Sequence, residues 1–63
     1  MTLRERTIQL ISDRGIEKSF IASKLSISNS LFSLFINGKQ PLQTPEIMKL
    51  EELIESYNTK IIN

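Results

Sequence analysis

Apolar residues recur along this chain at the three- and four-residue spacing of helices, and no stretch alternates strictly between apolar and polar as a half-buried strand would. Leu3, Thr7, Ile8, Leu10 and Ile11 form the first stripe. Thr2 and Glu5, three residues apart, make a capping box, in which hydroxyl and carboxylate each satisfy an orphan backbone donor; Gly15 supplies a left-handed residue to stop the helix. These signals predict a first helix over about residues 2–14. Ile16 and Glu17 lead into a second, short helix with Ile21, Ala22 and Leu25 on one face and Ser19, Ser23 and Lys24 on the other, ending at Ser26. Ile27 reads as a buried turn residue and Ser28 as the N-cap of a third helix over about residues 28–36, with Phe32 and Phe35 as its inward stripe. Asn37 and Gly38 are expected to close it because both tolerate positive φ. After a loop at 39–43, Thr44 and Pro45 form an N-cap and first-turn pair that restarts helix. Ile47, Leu50, Ile54 and Tyr57 give this last helix its stripe, flanked by Met48 and Leu53.

The informative stretch is residues 18–39, where two short helices meet across a turn of about three residues. That spacing is a helix-turn-helix. Ala22 sits where the two helices would approach most closely, and Ile27 and Phe32 would fill the gap between them and set their crossing angle. A third helix held in this way leaves its opposite face proud of the surface, able to enter a major groove about 12 Å wide.

Composition narrows the choices further. A chain of 63 residues supports one domain with a small core, and a fold of this size often gains stability from a second subunit. Cysteine and histidine are both absent, so no disulfide framework, thiolate metal site or imidazole base is available. The serines between Ser19 and Ser33 therefore lack an evident general base, and Glu51, Glu52 and Glu55 are spaced as a solvated helix face. With only Gly15 and Gly38 there is no glycine-rich phosphate loop. An enzyme is not expected, nor is a cofactor or metal. No apolar run approaches the roughly 20 residues of a membrane span, and the charged start is not followed by a signal-peptide core, so the expected location is the cytoplasm. The net charge of +1 says little, but its distribution says more. Residues 1–43 hold six bases (Arg4, Arg6, Arg14, Lys18, Lys24, Lys39) against three acids, whereas residues 44–63 hold two bases against four acids. A basic front and an acidic tail suit a protein that turns one face to phosphate.

Residues 15–53 resemble the lambda-type repressor and Cro helix-turn-helix family common in phages and Gram-positive bacteria. The resemblance is carried by Ile21-Ala22-Ser23-Lys24-Leu25, by Ile27-Ser28, and by Asn37-Gly38-Lys39 at the end of the third helix. It implies an all-α, compact four-helix domain and a transcriptional regulator that binds operator DNA, working at the nucleoid of a bacterial or phage-infected cell. Position by position, it places Asn29 and Ser30 as base readers and Asn37 and Lys39 on the DNA backbone. Asn29 has the donor and acceptor for a bidentate bond to an adenine edge, although a capping or solvated role fits the same residue. Ser33 and Leu34, one turn on, would face the groove, with Leu34 against a thymine methyl or, alternatively, against a partner protein. Ser28 caps the third helix and its hydroxyl is free to bond a phosphate. Lys18 opens the second helix, where backbone donors and the helix dipole favour a phosphate; surface solvation is the plainer role for it and for Lys39. Arg14 and Lys24 are weaker candidates for backbone contacts. Two departures from the family stand out: Ser26 occupies a position usually held by glycine, and the third helix is apolar and contains no arginine.

So few phosphate contacts imply a homodimer on double-stranded DNA, reading half-sites about one helical turn apart. Leu53, Tyr57, Ile61 and Ile62 are the expected dimer contacts. The competing expectation is a protein-interaction module, such as an antirepressor docking to a second regulatory protein through Leu31, Leu34 and Ile36.

Overall fold

Four helices follow one another in the computed structural model, which describes residues 2–60, the side chains of 59 and 60 excepted. They are α1 (Leu3–Arg14), α2 (Lys18–Leu25), α3 (Asn29–Ile36) and α4 (Thr44–Lys60), and no strand occurs among the described residues. The all-α expectation and the four segments therefore hold. Ile61 and Ile62, expected in a dimer contact, lie outside the described residues.

Helix α1 begins as its sequence predicts. The Thr2 backbone N–H donates to Glu5 Oε1 at 2.9 Å, and the Glu5 N–H donates to Thr2 Oγ1 at 3.2 Å, which completes the capping box. The bond from the Thr2 backbone first, and second one that the Thr2 hydroxyl donates to the same Glu5 Oε1 at 3.1 Å, hold the Glu5 carboxyl below its ordinary pKa. Gly15, at φ 64°, ends the helix and donates to the Ile11 carbonyl at 2.9 Å. Thr7 is fully buried, which a hydroxyl tolerates because its Oγ1 donates to the Leu3 carbonyl at 2.8 Å. Ile8, by contrast, leaves the stripe assigned to it and is 38% exposed. A run of residues 7, 8, 10 and 11 is wider than the side of α1 that the other helices cover.

Helices α1 and α2 each pack on both α3 and α4, around a core formed by Leu10, Ile21, Ala22, Leu25, Phe32, Phe35, Ile36, Leu50 and Ile54. Leu42 completes that core from the α3–α4 loop. Its burial fixes where the chain turns back into α4 and so prevents the loop from being a free tether. The N-cap of α4 falls one residue before the position expected. Gln43 occupies it, with its N–H bonded to Glu46 Oε1 at 3.1 Å and its carbonyl accepting from Ile47 N, while Thr44 and Pro45 lie within the first turn. Leu53 and Tyr57 are half-buried and pack against the core of their own chain. Among the described residues no single helix is long and apolar enough to cross a membrane.

Candidate nucleic-acid interface

The chain direction turns by 109° between α2 and α3 across three residues, Ser26, Ile27 and Ser28. Ser26 adopts the left-handed conformation at φ 60°, ψ 40°, and its N–H and that of Ile27 donate to the Ser23 and Ala22 carbonyls at 3.1 and 3.0 Å. It is the one non-glycine residue with positive φ among those described. The geometry that would suit glycine is thus kept with a Cβ present, at a cost of about 1–2 kcal/mol. Ser26→Gly should recover part of that, less the extra entropy glycine brings to the unfolded chain. A gain of about 0.5–1 kcal/mol is expected, visible as a rise of roughly 3–6 °C in thermal melting; an unchanged or lower midpoint would mean the turn is relaxed with serine in place.

Ile27 is half-buried against the core, and Ala22 and Phe32 are each 1% exposed, so all three are buried as expected. Ser28 then caps α3, its Oγ accepting from the Leu31 N–H at 3.0 Å. With Phe32, Phe35 and Ile36 turned inward, the opposite face of α3 is left to solvent. Asn29, Ser30, Ser33 and Leu34 are all exposed there, and Asn37 follows one turn beyond Ser33. Asn37 Nδ2 reaches Ser33 Oγ at 3.5 Å, a long bond that exchanges readily for another partner. Lys18 is exposed in the first turn of α2. The N-cap there, Glu17, accepts from Ser19 Oγ at 3.5 Å but from no backbone N–H of the helix, so the first amides of α2 have no side-chain acceptor. Lys39 is exposed just beyond α3, where its N–H donates to the Leu34 carbonyl at 2.9 Å and ties the loop to the helix end.

Two expectations about α3 change. Ile36, assigned to an outward docking face, is only 8% exposed and belongs to the core, because it lies four residues after Phe32 on the same side of the helix. Asn37 closes the helix at φ −81°, and positive φ is left to Gly38 alone, at 75°. Leu31 and Leu34 remain available, half-buried and 38% exposed respectively.

Other features lie outside the sequence expectations. Arg4, counted among the bases of the front half, donates from Nε to the Ile36 carbonyl at 2.8 Å and so joins α1 to the end of α3 across 32 residues of sequence. Phe20 is 42% exposed with the Lys24 ammonium 5.4 Å from its ring centroid, a cation–π distance that holds that lysine on the outside of α2. Arg14 reaches the Tyr57 carbonyl at 3.5 Å and so leans toward α4. A groove beside the turn is lined by Ile27, Leu31, Pro41, Leu42 and the polar Gln40, Gln43 and Glu46. Comparison with known proteins returns no match, whether to a protein-family model, a curated protein or a solved structure.

Proposed function

We propose that the chain is a sequence-specific DNA-binding regulator of the lambda-type repressor and Cro kind, which places the outer face of α3 in a major groove. The observation that carries this reading is the α2–α3 geometry: a 109° turn over three residues, with the polar side of α3 exposed and its apolar side buried. The helix-turn-helix has this length and angle. In the proposal, Asn29 and Ser30 meet base edges, Ser33 and Leu34 lie one turn deeper, and Lys18, Ser28, Asn37 and Lys39 hold phosphates. Ser28 serves the helix and the phosphate together, since a hydroxyl oxygen that accepts from Leu31 retains its own proton to donate. One copy would neutralise only a few phosphates, which supports non-specific binding no tighter than roughly 10⁻⁴–10⁻⁶ M. A homodimer on half-sites about 34 Å apart would combine two such sets of contacts.

A second reading, docking to a regulatory protein, is favoured by the groove of Ile27, Leu31 and Leu42 next to the exposed Leu34. It loses Ile36, which is in the core. The two readings respond differently to salt. Affinity for duplex DNA should fall steeply between 50 and 200 mM salt, and Lys18→Ala should weaken all sequences about equally while reducing the magnitude of the salt slope by about 0.9. Binding to DNA fragments that ignores salt, or a Lys18→Ala variant with an unaltered slope, would transfer the case to protein docking.

A further inference from the structure

We infer that Arg4 of α1 and Lys39 of the following loop form a phosphodiester-binding point at the C-terminal end of α3; this rests on the DNA-binding reading above. The two cations line one groove of about 240 Å³ together with Phe35, Gly38, Gln40 and Pro41, and no carboxylate lines it. The groove between α1 and α4 differs, since Asp13 sits there beside Arg6 and Arg14.

The end of α3 is otherwise a poor place for a phosphate. Its last carbonyls carry the negative end of the helix dipole and would repel an anion, although those of Ser33, Leu34 and Phe35 accept from the backbone N–H groups of Asn37, Lys39 and Gly38. Arg4 reverses that field at the Ile36 carbonyl, because its Nε–H bonds Ile36 O at 2.8 Å and sets a full positive charge against it. This is its only hydrogen bond among the described residues, so of five guanidinium N–H donors four are left, two on each Nη. Held by Nε in a half-buried position, the side chain keeps its fork oriented without needing a ligand to order it, which is the arrangement that grips a phosphate in bidentate fashion. Gly38 permits the approach. A Cβ at that position would stand 3.3 Å from Arg4 Nε, and φ is 75°. At about 1.5 Å per residue the eight residues of α3 span roughly 12 Å, close to the width of a major groove. Ser28 and Lys18 would then hold a phosphate near one end of the helix, and Arg4 with Lys39 one near the other.

The test is the salt dependence of wild-type, Arg4→Met and Lys39→Met binding to one duplex. Each substitution should lower the slope magnitude by about 0.9, which makes the affinity loss from 50 to 200 mM salt roughly 3.5-fold smaller. If Arg4→Met weakens binding without changing the slope, Arg4 is only a strut for α3 and this inference is overturned while the DNA reading stands. No duplex binding by the wild-type chain overturns both. Should Arg4→Met fail to fold, the ¹⁵N resonances of the Arg4 side chain in the wild-type protein decide: they are expected to shift and its Nη rotation to slow on adding duplex, and unmoved resonances overturn the inference.

Discussion

Phe32→Ala is expected to leave most of the chain unfolded at 37 °C. Phe32 is the largest of the fully buried side chains, belongs to the shared core, and tilts against Phe35 with ring centroids 6.2 Å apart. Truncating a buried phenylalanine to alanine removes about 3–5 kcal/mol. A core in a chain this short supplies no more than about 3–5 kcal/mol in total, so the loss is comparable to the whole stability. Loss of a cooperative helical melt in circular dichroism is the measurement. Phe20→Ala is the matched control: its ring is 42% exposed, and it should melt within a few degrees of the wild type. If the two variants melted alike, the stated division between core and surface phenylalanines would be wrong. Phe32→Leu keeps an apolar plug of smaller size and should fold, with the α2–α3 angle less firmly set. On the proposed DNA-binding reading, its affinity for duplex should fall by more than the lost core volume alone would lower its stability.

Asn29→Ala is expected to remove most of the discrimination between a preferred site and a scrambled duplex while leaving non-specific binding in place. Asn29 is the first residue of α3, exposed, and the helix cap is made by Ser28 instead. No hydrogen bond within the described residues occupies its amide, so the substitution should cost the fold little. A bidentate asparagine-to-adenine contact is worth about 1–3 kcal/mol, which corresponds to roughly a 5- to 150-fold loss of preference. The measurement begins with selection of bound fragments from random duplex DNA and continues with paired titrations of the variant against the selected and scrambled sites. A variant that keeps its full preference would remove Asn29 from the readout and leave Ser30, Ser33 and Leu34 as the remaining readers on that face. Ser28→Ala offers a useful contrast, since it removes the cap of α3, at about 1 kcal/mol, together with the proposed phosphate donor.

Much of this architecture was legible in the linear order of residues. Thr2 and Glu5 marked the start of α1, Gly15 its end and Ser28 the start of α3, because caps and left-handed residues act within a few positions of themselves. Ala22, Ile27 and Phe32 could be placed between α2 and α3 for a similar reason: their spacing across a short turn leaves few ways to bury them. The polar outer face of α3 followed, since it is the side that Phe32 and Phe35 do not occupy.

Where helices share the burial of an apolar run, periodicity offered less. It could not say that Ile36 goes inward and Ile8 outward, because the width of the covered stripe depends on the helix packed over it. Nor did it single out Leu42, an isolated apolar residue in a loop, until the return of the chain into α4 carried that residue to the core. Arg4 is the clearest case. Its partner is a backbone carbonyl 32 residues away, and a carbonyl is present at every residue, so no pattern in the chain marks that contact. Local chemistry, then, determined the helices, their caps and the turn that aims α3, whereas the closing of α1 over the end of α3 decided which charges serve the fold and which face outward. The physical reason is range: caps and turns are settled within a few residues, but burial and long hydrogen bonds exist only once distant segments share one interior.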